Sequence, residues 1–542
     1  MIAAISFGLA LLISTALVPV AVRYAGVLGL VDEPDERKVH TKPIPRAGGI
    51  AITLAFFVPA LYWLSDISSL TGLLAGAAVI ALFGFLDDRH NLDYKIKFLG
   101  QILGVSIFLV GNVEITKTPF LGLGDLTPWL SYPIMALFIL GVTNAVNLSD
   151  GLDGLAAGSS LLSLAFIAFL AYSSNEYGLG LVAVSAMGAL TGFLRFNTHP
   201  ATVFMGDTGS QFLGFITGCL AILVTQSQQL AVSPILAVLI VGLPIMDTLM
   251  VMMLRLRDRQ SPFKPDQRHL HHQFLAIGMQ HYHAVALIYV LNFALLLLAY
   301  LLRYQSDAIL LFAYLFFCSS TLGLISFFKH SEFSRLRRAR IAAAKERRNP
   351  WFRRLHWLHQ HGGLVLQWAI GAIWLLLMTV GEHTLNLNDL LVVLGLITLF
   401  YNWRFFNLEN KWLSRLVFYL ASVLAVYVLM FQVSVEVPHW HSITLLDAPL
   451  IALVALLALI IRTTRRYQFR MDTQDILVLL LLLAAPLLTL SSTDNVLLIG
   501  AIVRLAILLY ASEYIIARIE RPAVTSVIAG ATLTSYIAFS FF

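Results

Sequence analysis

Long apolar runs alternate with short polar connections along the whole chain. The first set lies near residues 2–22, 48–64, 69–86, 97–112, 129–146, 157–172, 180–195, 210–225, 233–253, 284–302 and 308–328. A second set lies near 363–380, 386–402, 414–431, 444–461, 475–490, 494–512 and 523–541. Because a bilayer-spanning helix needs roughly 20 apolar residues, the pattern predicts an all-α polytopic membrane protein with about eleven transmembrane helices in a core and about seven in a C-terminal block.

A basic stretch from Lys329 to about His361 separates the two sets. The predicted domains are therefore a membrane core at 1–330, a basic cytoplasmic linker at 331–361 and an additional transmembrane block of unknown role at 362–542. Arg504 falls inside a span of that block, and both helix packing and contact with a lipid headgroup remain open for it. The block contains no recognisable catalytic motif.

Composition supports a membrane location. The chain of 542 residues is 58% hydrophobic and 12% charged, whereas soluble domains carry about 25% charged residues. The first run lacks a basic segment and a cleavage site, which predicts a retained span and not a signal peptide. Cys219 and Cys318 lie in apolar runs and indicate no disulfide framework. In a membrane protein, Lys and Arg mainly mark the loops on the cytoplasmic side, and the net charge of +6 is explained in this way. No nucleic acid is therefore expected as a partner.

Basic residues assign a side of the membrane to each connection. With the N-terminus outside, the basic loops Arg23–Arg46, Asp87–Lys97, Arg255–His283, Lys329–His361, Arg404–Arg415 and Arg462–Arg470 all fall inside. Four polar clusters then share this inner surface, namely Asp87–Asp88, Asn144–Asp153, Arg195–Asp207 and Lys264–His272. Ionisable residues at a membrane surface are candidate functional groups, although solvated loop charges are the plainer alternative.

The first two clusters are rich in carboxylates. Asp87 and Asp88 repel each other, which a cation or proton would relieve, although a solvated helix end is equally consistent with the pair. Asn147, Asp150 and Asp153 are oxygen donors spaced three apart beside flexible glycines. Oxygen donors without cysteine favour Mg²⁺, with Mn²⁺ as the alternative, over zinc.

The other two clusters indicate phosphate binding. Asn197, His199 and Asp207 come before or at the start of a predicted helix, and Gly206 and Gly209 are expected to leave N–H groups free there for phosphate. The last cluster contains three histidines and two basic residues, namely His269, His271, His272, Lys264 and Arg268. Zinc binding stays open for these histidines, but their basic companions favour phosphate recognition. Divalent metal and phosphate groups at one surface together indicate phosphoryl transfer.

Six strings in order resemble a known family, the polyprenyl-phosphate N-acetylhexosamine-1-phosphate transferases, over roughly residues 1–330. The strings are RKVHTKPIPRAGG (Arg37–Gly49), GFLDDR (Gly84–Arg89), NAVNLSDGLDGLAAG (Asn144–Gly158), VFMGDTGS (Val203–Ser210), PIMDT (Pro244–Thr248) and HLHH (His269–His272). The HLHH string and Pro43–Gly49 resemble the undecaprenyl-phosphate N-acetylglucosamine-1-phosphate branch. The branch often has a third Asp where this chain has Asn91, which weakens the assignment of the donor.

The resemblance implies a Mg²⁺-dependent transfer from a UDP-N-acetylhexosamine, foremost UDP-N-acetylglucosamine, to undecaprenyl phosphate. It implies a multi-pass protein of the bacterial inner membrane with its active site facing the cytoplasm. The polysaccharide served and the oligomeric state stay open, with a homodimer as one expectation. A lipid-handling transporter or a catalytically silent scaffold on the same fold is the alternative.

The resemblance also implies roles for individual residues. The catalytic set is Asp87, Asp88, Asp150, Asp153, His271 and His272; the substrate-binding set is His40, Lys42, Arg46, Asn144, Asn197, Lys264, Arg268 and His269; and the metal ligands are Asn147 and Asp207. A phosphate monoester is already largely anionic at neutral pH, which favours direct attack by the lipid phosphate over a covalent intermediate on Asp87 or Asp88. Deletion beyond about residue 361 is expected to leave this transfer measurable.

Overall fold

The computed structural model describes residues 2–33, 43–64, 68–111, 128–227, 229–261 and 268–330, with a few isolated positions beyond. The chain divides into two compact units, Met1–Ala343 with Asp472–Leu481, and Ala344–Met471 with Leu482–Phe542. The helical bundle and its cleft belong to the first unit. In the second unit, β3 (His439–Trp440) pairs with β4 (Ile443–Thr444) in an antiparallel hairpin. The linker 331–361, Arg504 and most of the block 362–542 lie outside the described residues.

The described part of the first unit is helical apart from one short hairpin. Its helices are α1 Ile2–Leu28, α2 Gly48–Leu64, α3 Ser68–His90, α4 Tyr94–Val110, α5 Pro128–Ser149, α6 Leu155–Ser173, α7 Tyr177–Asn197, α8 Gly206–Gln226, α9 Leu236–Ile240, α10 Gly242–Arg257, α11 Leu270–Ala276, α12 His281–Leu302 and α13 Asp307–His330. Strand β1 (Val31–Asp32) pairs antiparallel with β2 (Ile44–Pro45). The predicted all-α membrane class is confirmed.

Among the described residues, 8 helices are long and apolar enough to cross a membrane, namely α1, α3, α5, α6, α7, α8, α12 and α13. Helices α2 and α4 are apolar but have 17 residues each. Helix α1 packs along α7 and α2. The prediction of about eleven core spans is therefore confirmed for these eight helices, and the predicted C-terminal spans fall outside the described residues.

The predicted span at 233–253 is not one continuous helix, because the structure divides it into α9 and α10 at Val241. Pro244 in the first turn of α10 has no N–H to donate to the carbonyl of Ile240 four residues earlier. That carbonyl instead accepts a hydrogen bond of 2.8 Å from the Ser163 hydroxyl of α6. The carbonyl left without a helical partner at this break is therefore hydrogen-bonded by a neighbouring helix, as backbone groups inside a membrane require.

Helix α8 is the central element of the bundle, with 94% of its most apolar stretch buried. It packs against α2, α3, α5 and α6. Two glycines allow close approach at its first turn: an added Cβ at Gly49 would lie 2.3 Å from the backbone nitrogen of Gly209, and one at Gly84 would lie 2.6 Å from the α-carbon of Thr208. Small residues at such contacts let membrane helices pack backbone to backbone.

Helices α3, α4, α5 and α8 form a ring in which α3 and α5 each pack against both α4 and α8. The C-terminal ends of α3 and α5 and the N-terminal ends of α4 and α8 meet at one end of this ring, where the chain carries Asp87, Lys97, Asn147 and Asp207. The fold therefore gathers polar residues from distant segments at one end of an apolar bundle.

Candidate active site

A cleft of about 770 Å³ opens at this polar end of the bundle. The sequence-predicted residues among those that line it are Arg46, Asp88, Asn147, Asp150, Asp153, Asn197, Asp207 and His272. Asp87 lies just behind the cleft, beside Asp207. Four sequence segments that were predicted to share a surface thus contribute to a single site.

Asp88 caps the N-terminus of α8. One of its carboxylate oxygens accepts the backbone N–H of Asp207 at 2.8 Å, and the other accepts the N–H and the hydroxyl of Thr208 at 2.9 and 2.6 Å. Gly206 has a φ of +67°, and a Cβ there would lie 2.5 Å from the Asp88 carboxylate. The expectation of N–H groups left free for phosphate at this helix start is therefore wrong, because a protein carboxylate occupies them.

Lys97 lies between two carboxylates beside the cleft. Its ammonium is 2.5 Å from Asp87 Oδ2 and 3.2 Å from Asp207 Oδ2. The other Asp87 oxygen accepts the N–H of Leu92 at 2.8 Å. Sequence reasoning misses Lys97 as a site residue, because its place next to the other basic residues of the loop is equally typical of a lipid-surface contact.

Asn147 and Asp150 bring further oxygen donors to the cleft. Asn147 Oδ1 accepts the Ser210 hydroxyl at 2.6 Å, which ties α5 to α8. Burial, followed by the nearby charges of Asp207, Asp153 and Asp88, raises the pKa of the Asp150 carboxyl from 3.8 to about 7. Such crowding of oxygen donors is what a hard divalent cation would neutralise, so the residues present fit Mg²⁺ or Mn²⁺.

Asp153 is fixed by a pair of stacked histidines. Its Oδ2 lies 2.6 Å from His199 Nδ1 and accepts the N–H of Ala201 at 3.1 Å. The backbone N–H of Asp153 donates to His281 Nε2 at 3.1 Å, and the two imidazole rings stack with centroids 4.0 Å apart. These three side chains come close enough to chelate a metal, but the hydrogen bonds already account for their arrangement. His281 is missed by the sequence analysis because it precedes an apolar run outside every motif.

The histidine motif lies on the short helix α11, against the loop that follows α5. His271 is buried, and a Cβ on Gly151 would lie 2.2 Å from its Nε2. Burial, with smaller contributions from His272, His269 and His281, lowers the pKa of His271 to about 3, so that it stays neutral near pH 7. His272 reaches the cleft, whereas His269 is buried against Asp247.

Three residues predicted to bind substrate have partners within the protein. The Asn144 amide bonds to Gln101 and to the carbonyl of Leu140, one turn away from the cleft. Asn197 lines the cleft, but its amide accepts from Gly154 and donates to the carbonyl of Val203, both at 2.9 Å. Arg268 pairs with Asp258 at the end of α10.

Arg46 lines the cleft while paired with Asp32. His40, Lys42 and Lys264 lie outside the described residues, so that their substrate-binding roles remain predictions.

An apolar bundle whose polar end holds a lysine between carboxylates, beside a cluster of oxygen donors, defines a membrane-embedded phosphotransferase.

Comparison with known proteins identifies the family. Residues 70–225 match the sequence profile of glycosyl transferase family 4. A probable undecaprenyl-phosphate N-acetylglucosaminyl 1-phosphate transferase of Bacillus subtilis (strain 168) is 37% identical over 303 residues, covering 55% of this chain and 84% of the relative. A decaprenyl-phosphate N-acetylglucosaminephosphotransferase of Mycobacterium tuberculosis (strain ATCC 25618 / H37Rv) is 34% identical over 299 residues, covering 49% and 74%.

A third relative, the undecaprenyl-phosphate alpha-N-acetylglucosaminyl 1-phosphate transferase of Escherichia coli O157:H7, is 30% identical over 275 residues, covering 49% of this chain and 74% of the relative. The chain belongs to this family of polyprenyl-phosphate N-acetylhexosamine-1-phosphate transferases. The resemblance drawn from the six sequence strings is thereby confirmed.

Proposed function

We propose that the chain transfers N-acetylglucosamine-1-phosphate from UDP-N-acetylglucosamine to undecaprenyl phosphate and so begins the synthesis of a cell-surface polysaccharide. The observation that carries the proposal is the placement of Lys97 between Asp87 and Asp207, the second of which lines the cleft. The relatives transfer N-acetylglucosamine phosphate to polyprenyl phosphates, as their names state. We place the reaction at the cytoplasmic face of the bacterial inner membrane, because the basic loops flank the polar end of the bundle.

In the proposed reaction a phosphate oxygen of the lipid attacks the β-phosphorus of the nucleotide sugar. The bond from that phosphorus to the bridging oxygen breaks, and the electron pair leaves with UMP, so that the product is a lipid diphosphate sugar. Transfer of this kind depends on positioning and on neutralisation of charge more than on covalent catalysis. The attacking phosphate is already anionic, so that Asp87 orients the incoming group through Lys97 and is not required as a nucleophile.

The donor set of the cleft suits a divalent cation held by Asn147 and Asp207. When bound, Mg²⁺ would neutralise the negative charge that accumulates on the diphosphate as the bridging bond breaks. Asp88 keeps the first turn of α8 in place, and Asp207 belongs to that turn. Asp150 adds negative charge beside the proposed ligands, which strengthens the preference for a doubly charged cation.

The remaining cleft residues suit the nucleotide sugar. His272 and Arg46 present polar groups to the same space as Asp153 and Asp150. Arg46 is held in place by its ion pair with Asp32, and fixed donors cost little reorganisation when a ligand arrives. We assign the phosphates to the Asp207 side of the cleft and the nucleoside and sugar to the side of Asp153 and His272.

The test is UMP release by the purified full chain, with undecaprenyl phosphate, Mg²⁺ and a panel of UDP-N-acetylhexosamines. We expect release to require the lipid and the metal, to be fastest with UDP-N-acetylglucosamine and to be lost in Asp207→Ala. Asp307→Asn, a carboxylate at the start of α13, serves as the control that retains activity. Failure to release UMP with any donor, in folded protein containing lipid, would favour a lipid-handling transporter or a silent scaffold.

A further inference from the structure

Three amide side chains join α4, α5 and α8 beneath the cleft. The Gln101 amide nitrogen donates to Gln211 Oε1 at 3.0 Å and to Asn144 Oδ1 at 3.3 Å. The Asn144 amide nitrogen returns a hydrogen bond of 2.8 Å to Gln101 Oε1. Gln101 and Gln211 are only 3% and 2% exposed. We call these three residues the amide triangle.

Each member of the amide triangle lies one helical turn from a residue of the site. Gln101 follows Lys97 by four residues on α4, and Gln211 follows Asp207 by four on α8. Asn144 precedes Asn147 by three residues on α5. Residues three or four apart share one face of a helix, so fixing the deeper residue fixes the rotation and height of the residue above it.

The triangle also crosses the ring formed by α3, α4, α5 and α8. Helices α4 and α8 lie on either side of the ring and both pack against α3 and α5. Polar links run directly between them from Lys97 to Asp207 and from Gln101 to Gln211. A pair of buried amides is satisfied in one alignment only, so these links help to fix how α4 and α8 lie against each other.

We propose that the amide triangle is a positioning device that sets the register of α4 against α8 and α5. In this register the Lys97 ammonium reaches both Asp87 and Asp207, and Asn147 faces the first turn of α8. The three amides are positioning residues, since they contact the helices and not the substrate. The importance of this register for turnover rests on the proposed function, but the register itself does not.

A purely structural role predicts a different outcome from a positioning role. Asn292 provides the comparison, because it is a fully buried amide that donates to the carbonyl of Ser159 at 3.0 Å and so links α12 to α6. Replacing Asn292 removes an interhelical amide contact of the same kind, away from α4. Variants Gln101→Met and Asn292→Leu therefore both replace a buried, hydrogen-bonded amide by an apolar side chain, and they differ in location.

The experiment measures two properties of the full chain in detergent micelles with added lipid. The first is the rate at which acetic anhydride modifies Lys97, followed by peptide mass spectrometry, which needs neither substrate nor metal. The second is kcat and KM for UMP release. In Gln101→Met we expect Lys97 to be modified severalfold faster and kcat to fall about tenfold or more, with KM for the nucleotide sugar little changed. Asn292→Leu should lose thermal stability and change neither property.

Gln211→Met removes only one bond of the triangle and should show the same two changes at smaller size. It replaces Gln101→Met in the test if that variant does not fold. Wild-type labelling rates of Lys97 and wild-type kcat in both variants, or equal changes in Asn292→Leu, would overturn the positioning role. If the wild-type chain released no UMP, the proposed function would fail, while the labelling rates would still decide whether the triangle positions Lys97.

Discussion

The carboxylate of Asp247 on α10 holds His269 at the start of α11, with Asp247 Oδ2 3.0 Å from His269 Nδ1. Its second oxygen accepts the backbone N–H of Leu270 at 2.7 Å. Both side chains are buried. A single residue of the PIMDT string therefore fixes the ring orientation of His269 and satisfies a backbone donor at the first turn of the helix that carries His271 and His272.

Asp247→Asn should disturb the histidine motif without a change in volume. The amide can still accept from Leu270, but its NH₂ group then faces His269 Nδ1, so this contact survives only if that nitrogen acts as the acceptor. We expect a loss of about 1–3 kcal/mol in the free energy of unfolding and a lower kcat in the UMP assay. Asp258→Asn, which weakens the more exposed pair with Arg268, is the control. Equal effects of the two substitutions would contradict the role given to Asp247.

Asp88→Asn tests the cap of α8. The asparagine has one acceptor oxygen in place of two, and its NH₂ group would face either the N–H of Asp207 or the N–H and hydroxyl of Thr208. Loss of a helix cap costs about 1 kcal/mol, so the variant should melt earlier and release UMP far more slowly.

Asp93→Asn is the matched control for that measurement. Asp93 directly precedes helix α4, but its side chain makes no capping hydrogen bond. Its substitution should leave the melting temperature and the activity near those of the wild type. A similar loss in both variants would show that the Asp88 contacts are not special.

Lys97→Met should abolish most activity, because Asp87 and Asp207 lose the cation that lies between them. A kcat reduction of about 100-fold or more is the size expected when a charged group that positions phosphates is removed. Lys95→Met, on the exposed side of the same helix, should be nearly silent. Retention of wild-type kcat in Lys97→Met would contradict the assignment.

Asp150→Asn should stabilise the protein at alkaline pH when metal is removed with EDTA. The pKa of Asp150 is raised from 3.8 to about 7, so the folded chain retains a proton that the unfolded chain releases between these values. The carboxylate therefore costs stability as pH rises through this window. The melting temperature of Asp150→Asn should exceed that of the wild type at pH 8, and the difference should shrink towards pH 5. A difference independent of pH would contradict this account.

The sequence alone predicts the helices well and the contacts within the site only in part. Apolar runs place α6, α7 and α12 because length and hydrophobicity decide where a helix crosses a membrane. The same rule does not predict the break inside 233–253, where the carbonyl of Ile240, which Pro244 cannot bond, accepts a hydrogen bond from Ser163 of another helix. No local signal in the chain marks that long-range partner.

Residue type likewise predicts which positions are polar and functional, but not which neighbour each one meets. Asn144 and Asn147 belong to the same string, yet one bonds to Gln101 beneath the cleft and the other lines it. The difference arises from helical rotation against α4 and α8, which tertiary packing decides. Lys97 and His281 escape sequence reasoning for the same cause, since their partners are brought to them by other helices.

The cap that Asp88 places on α8 has a consequence for the order of events at the membrane. With the N–H groups of Asp207 and Thr208 already bonded to Asp88, the described residues of the cleft wall carry five carboxylates, of Asp32, Asp88, Asp150, Asp153 and Asp207. The nearby cations are the guanidinium of Arg46 and the ammonium of Lys97, which reaches Asp207. A bare nucleotide diphosphate would meet electrostatic repulsion at such an entrance. Turnover should therefore follow the concentration of cation-chelated donor and not that of total donor, and surplus free nucleotide should be a poor competitor.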